Sequence, residues 1–120
     1  MRVFIIEKPP AHIDLAKAEE FGEIEIIFRP TDRHSSVFHA DRFGHDVLTK
    51  LTELNFDSLN DAFALVGGLV PVSVAMSAIF MKYGTLKILF YNAPESRYVL
   101  RVVDASTWKG ELDESIVRES

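Results

Sequence analysis

Lys8 follows the apolar run Val3–Ile6, and Arg29 and Arg33 follow a second run, Ile24–Phe28. Gly67-Gly68 closes a third run, Ala62–Val66, and Tyr91-Asn92 closes a fourth, Leu86–Phe90. Cations at the ends of apolar runs suit an anionic ligand through charge-assisted hydrogen bonds. The glycine pair lets backbone approach a ligand closely, and an apolar stretch with Pro71 near its start follows at once. A helix opening there would aim N–H groups and a positive dipole end at a phosphate. Tyr91 offers a ring on which a base can stack. Arg29, Arg33, Ser35, Gly67, Gly68 and Asn92 are therefore the candidate binding residues, with Lys8 adding a further charge-assisted contact and His34, in the long loop, a candidate general acid or base.

Several familiar chemistries are missing. G-x-x-x-x-G-K-[ST] does not occur, and the first strand–helix turn is Lys8-Pro9-Pro10 instead of G-x-G-x-x-G. A P-loop and a dinucleotide fingerprint are thus both disfavoured. Ser73 lacks the G-x-S-x-G context of a nucleophile elbow. His34, His39 and His45 are spaced 5 and 6 apart, which puts no two on one helical face. A metal site from these alone is not expected, and neither is a resident cofactor. The absence of cysteine removes disulfides, thiolate metal sites and thiol nucleophiles.

The elements that must position these groups follow from pattern. Val3–Ile6, stopped by prolines, reads as a strand buried on both faces. Asp14 is placed to cap a short helix to Phe21, with Gly22 beyond it. Ile24–Phe28 is a second strand, and residues 30–40 form a long polar loop. Asp41 is the expected cap of a helix to about Leu54, whose Phe43, Val47, Leu48, Leu51 and Leu54 share a face. Ala62–Val66 is the third strand. A helix over 71–83 is apolar nearly all round, as expected for one buried deeply or covered by a partner. Strands at 86–90 and 98–103 flank a turn at 92–96, which makes them an antiparallel pair. The order β-α-β-α-β-α-β-β predicts an α/β fold: a small Rossmann-like three-layer sandwich, mostly parallel, with an antiparallel C-terminal edge hairpin. One domain over 1–103 and an acidic tail over 104–120 complete the organisation. In such sheets ligands sit at the carboxyl ends of the strands, where all the candidate residues would converge.

The 120 residues carry 13 Lys and Arg against 18 Asp and Glu, a net charge of −5. That balance argues against a general DNA- or RNA-coating role without excluding a local basic pocket. The N-terminal apolar run is too short for a signal peptide, and no stretch reaches the roughly 18 apolar residues of a membrane span. A cytoplasmic protein is expected. The apolar 71–83 helix and the 98–103 edge strand predict a homodimer.

The run Val66-Gly67-Gly68-Leu69-Val70-Pro71-Val72-Ser73-Val74-Ala75-Met76, then a strand and Asn92-Ala93-Pro94-Glu95-Ser96-Arg97, resembles a region of small CARF-like CRISPR-associated proteins, the stand-alone ring nucleases. The likeness covers about residues 61–98. It implies an antiviral-defence dimer that binds cyclic oligoadenylate over the strand ends, in some members with metal-independent cleavage. It would put Gly67, Gly68 and Ser73 on phosphate and Lys8 or Arg33 at the scissile region. The expected function is binding of a nucleotide or cyclic oligonucleotide at the carboxyl edge, with phosphodiester cleavage as the enzymatic extension. The alternatives are a non-enzymatic interaction module, such as a small dimeric inhibitor or adaptor from a phage or mobile element, and a small-metabolite enzyme using His34.

Overall fold

A computed structural model describes residues 1–107. Of the acidic tail expected over 104–120, the part beyond 107 lies outside the described residues.

The elements run β1 (Arg2–Glu7), α1 (Ala16–Glu19), β2 (Glu23–Phe28), α2 (Ala40–Glu53), β3 (Ala62–Ala64), α3 (Leu69–Tyr83), β4 (Thr85–Asn92), a 3₁₀ turn (Ala93–Glu95) and β5 (Arg97–Asp104). They build one five-stranded sheet in the order β2-β1-β3-β4-β5. The β1–β2, β1–β3 and β3–β4 pairs are parallel and β4–β5 is antiparallel. This is the mostly parallel, Rossmann-like α/β sheet with the antiparallel edge hairpin. Ser96 closes that hairpin in the left-handed conformation, φ 53°.

Period-two alternation divides the core between two faces. Phe4, Ile6, Phe63 and Leu86 face α2 and α3, where Phe43, Val47, Leu51, Val72, Ala75 and Ile79 meet them. Val3, Ile5, Ala64, Leu89 and Tyr98 face the other way, toward Ala18 of α1 with Ile13, Leu15 and Phe21 around it. Gly44 of α2 faces α3. A Cβ at Gly44 would lie 3.5 Å from the Ala78 Cβ and 3.8 Å from Val74, ordinary contact distances that leave room for alanine and little more.

Four expectations need correction. The first helix shrinks to Ala16–Glu19, because the bonds Phe21 N–H to Ala18 and Gly22 N–H to Glu19 tighten its end into an i−3 pattern. His39, not Asp41, is the residue before α2, and Asp41 lies in its first turn. The third strand ends at Ala64 as the chain turns away toward Gly67, although Leu65 N–H still reaches Leu89 C=O at 2.8 Å. The fifth strand runs on to Asp104, one residue into the expected tail.

At the amino edge of the sheet lies Asp61, 4% exposed. It accepts hydrogen bonds from Arg2 N–H at 3.0 Å, from the Arg2 guanidinium at 3.1 Å and from Asp57 N–H at 2.8 Å. Arg2 also donates to the carbonyls of Leu54 and Asn55. This network ties the start of β1 to the chain entering β3, at the end of the sheet remote from the strand carboxyl ends.

Candidate functional site

Strand order fixes where a ligand crevice forms. From β1 the chain crosses to β2 on one side, and from β3 it crosses to β4 on the other. The loops leaving β1 and β3 therefore diverge over opposite faces, and the space between their origins is the topological switch point. A cleft of about 550 Å³ lies there, lined by His12, Ile13, Asp14, Lys17, Leu65, Val66, Gly67, Tyr91 and Tyr98.

Each wall has a local cause. Pro9-Pro10 ends β1, and the Pro10 carbonyl accepts Ile13 N–H at 3.0 Å, which folds the loop back and leaves His12 exposed at the rim. Asp14 Oδ1 accepts Ala16 N–H at 2.8 Å and opens α1. Lys17 reaches across to donate to the Ser96 carbonyl at 2.7 Å, bridging α1 to the β4–β5 turn. On the opposite wall Val66 N–H returns to Ala64 C=O at 2.8 Å, and Gly67 takes φ +129°, a conformation that side-chain-bearing residues rarely adopt. Tyr91 and Tyr98 form the floor, with ring centroids 5.4 Å apart and planes at 60°. Burial pushes the Tyr98 phenol up from its ordinary value, helped by Tyr91 and Asp14 beside it. The hydroxyl therefore stays a neutral donor at physiological pH. The cleft offers two rings, two basic side chains, one carboxylate and a bare glycine.

The candidate residues separate into distinct places. Gly67 and Tyr91 meet in the cleft. Lys8, Arg29, Gly68 and Asn92 sit at the same edge of the sheet but outside the cleft wall. Gly68 is the residue before α3 and has ordinary extended geometry, φ −63° and ψ 147°. Ser73 is four residues inside α3 and lines a shallow groove between α2 and α3 instead, beside Gly44 and Val74. Arg33, His34 and Ser35 lie against α2. The His34 ring stacks on Phe28 with centroids 4.3 Å apart and meets Phe43 at 5.4 Å. Its Nδ1 lies 2.9 Å from the Ser35 carbonyl, which fixes Nδ1 as the protonated nitrogen.

That loop is stapled down. Asp46 accepts Ser35 N–H at 2.7 Å, and this backbone bond holds its carboxyl below the usual range. Asp32 accepts Arg29 N–H at 2.7 Å with the same effect, reinforced by Lys50 at 3.5 Å. Among the described residues no group of three His, Asp or Glu side chains is arranged to hold a metal ion. No helix among them is long and apolar enough to cross a membrane.

His12, Lys17 and Tyr98 are the cleft residues that strand-end logic missed. The signal was present, since the loop after β1 must pass over the same edge as Lys8. Following that loop beyond the prolines would have found His12 and Lys17.

A family model for phage Pam3 gp32-like proteins matches residues 1–105, a span that takes in every strand and helix described above. The chain belongs to the phage Pam3 gp32-like protein family. No curated protein and no solved structure matches it.

Proposed function

We propose that this member of the phage Pam3 gp32-like family is a binding module that takes a nucleotide or cyclic oligonucleotide in the switch-point cleft. One observation carries the reading: between the loops that leave β1 and β3, Tyr91 at the end of β4 and Tyr98 at the start of β5 lie in one cleft with His12, Lys17 and Gly67. A base stacks on the exposed face of Tyr91, and the Tyr98 hydroxyl donates a hydrogen bond to it. The phosphate faces His12 and Lys17 at the α1 rim and passes close to the Gly67 backbone. The net charge of −5 repels anions at long range, but screening over about 8 Å leaves the short-range contact with Lys17 effective. A cytoplasmic location is part of the same proposal. The reading contains no cleavage step, because His34 is stacked on Phe28 outside the cleft wall.

The test is a thermal-shift and calorimetric screen against mononucleotides, dinucleotides and cyclic oligonucleotides, repeated on Tyr91→Ala, Lys17→Met and His34→Ala. Binding weakened by the first two and untouched by the third supports the cleft. Binding lost with His34→Ala moves the site to the loop on α2.

A second reading, a non-enzymatic interaction module, is favoured by two findings. The family is one of phage proteins. Leu69, Val70 and Met81 of α3 are exposed at 82%, 53% and 85%. Apolar residues held in water along one helix suit a protein partner. This reading leads if the parent protein binds no member of the panel at millimolar concentration.

A further inference from the structure

Among the described residues β5 is the last strand of the sheet, and the ladder fixes which of its backbone groups face outward. Leu65 N–H donates to Leu89 C=O, so the backbone groups of Leu89 face β3. Leu100 stands directly opposite Leu89, which makes the two a non-hydrogen-bonded pair of the β4–β5 ladder. Ala105 N–H, which turns inward to Gly84 C=O at 2.9 Å, confirms this phase. The N–H and C=O groups of Tyr98, Leu100 and Val102 therefore point away from the sheet. The outward Leu100 carbonyl accepts from the Arg101 guanidinium at 2.8 Å, and no strand among the described residues pairs with this edge.

We infer that β5 pairs with β5 of a second copy of this chain, antiparallel, about a two-fold axis at Leu100. Such an axis perpendicular to the sheet passes through a residue and its own symmetry mate, because opposed side chains must lie on the same face. The strand runs from Arg97 to Asp104, so axes at Leu100 or Arg101 pair the most of it, all but one terminal residue. The Arg101 axis sets two guanidinium groups directly against each other, which like-charge repulsion disfavours. The Leu100 axis opposes Leu100 to Leu100, Tyr98 to Val102 and Val99 to Arg101. Leu100 N–H then donates to the C=O of its mate, replacing the Arg101 contact, and Tyr98 and Val102 exchange a second pair of bonds. Val102, which is 60% exposed in the single chain, comes to rest beside Tyr98 of the other copy. Tyr98 is a wall of the switch-point cleft, so each copy adds Val102 to the flank of the other's cleft. The result is a continuous ten-stranded sheet with the open edge closed.

The chain has no cysteine, so a single introduced thiol reports the axis without interference. A hydrogen-bonded antiparallel pair has Cα atoms about 5.5 Å apart, within disulfide range. Val102 lies about 14 Å from its own mate in this register, at roughly 3.4 Å per residue along the strand. Leu100→Cys is expected to give a disulfide-linked dimer on a non-reducing gel after mild oxidation, and Val102→Cys to stay monomeric on it. The reverse pattern overturns the register. Failure of both to cross-link, with the parent sedimenting as a monomer at about 50 µM, overturns the dimer. If Leu100→Cys does not fold, Val102→Lys replaces it, since that position is solvent-facing. It is expected to weaken self-association at least tenfold, and unchanged association overturns the interface. None of these measurements involves a ligand, so their outcome is separate from that of the cleft.

Discussion

The adjacent glycines of the β3–α3 loop make opposite predictions. Gly67 has φ +129°, while Gly68 has φ −63° and stands before the first residue of α3. Replacing Gly67 by alanine creates no serious clash, since the new Cβ meets only Val72 Cγ2 at 3.5 Å. The cost is backbone strain, about 2 kcal/mol for a side chain forced into so sparse a region. In a domain of roughly 100 residues each kcal/mol moves Tm by about 4 °C, so Gly67→Ala is expected to lower Tm by about 8 °C. Gly68→Ser meets Pro71 Cγ at 3.3 Å, a contact that a small ring shift relieves. Serine gains a capping hydroxyl at that position, and a better cap contributes a few tenths of a kcal/mol over glycine. Its Tm is expected to stay within about 2 °C of the parent. Thermal denaturation followed by circular dichroism measures both variants. Equal losses at the two positions would refute the conformational assignment and the shape of the cleft wall that depends on it.

Asp61→Ala leaves Arg2 N–H, the Arg2 guanidinium and Asp57 N–H without their shared acceptor, and is expected to destabilise by about 3–4 kcal/mol. A Tm loss under about 4 °C would show that this network is not a clamp. The carboxyls of Asp32 and Asp46, held low by the Arg29 and Ser35 amides, contribute stability that is present above the unfolded value near 3.9 and lost as pH falls through their lower folded values. The 29–39 loop is thus expected to stay docked from pH 7 to 5 and to loosen only below about pH 4. Exchange protection of the Ser35 amide lost already at pH 6 would contradict this. Gly44→Val adds two methyls beyond a Cβ that already touches Ala78 and Val74 of α3 and is expected to lower stability by about 2 kcal/mol. An unchanged denaturation midpoint would count against this contact.

The framework was legible because each strand carried its own punctuation. Pro9-Pro10 and Arg29-Pro30 closed β1 and β2, and the brief Asn92–Ser96 turn left β5 no room to cross over and run parallel to β4. The strand order was not legible, since nothing local says that β2 lies outside β1 and β3 beside it. The candidate cleft was half legible. Strand-end logic found Gly67 and Tyr91, but it also gathered Arg33, His34 and Ser35, which fold onto α2 because the His34 ring finds Phe28 and Phe43 and the Ser35 amide finds Asp46. Those partners are 6 to 11 residues away along the chain, beyond the reach of pattern. Ser73 was drawn in by its nearness to the glycines, yet four helical residues carry it round to the α2–α3 groove.

Occupancy of the switch-point cleft is the central claim, and calorimetric titration of the parent protein against Tyr91→Ala tests it most directly. Tyr91 is 50% exposed, so its removal leaves the fold intact while deleting the stacking surface. Stacking of a base on an aromatic ring contributes about 1–3 kcal/mol. The account predicts saturable binding of a nucleotide or cyclic oligonucleotide by the parent, and an affinity at least fivefold weaker in the variant with Tm unchanged. Binding of equal strength in both proteins, or none by the parent at millimolar ligand, would contradict it.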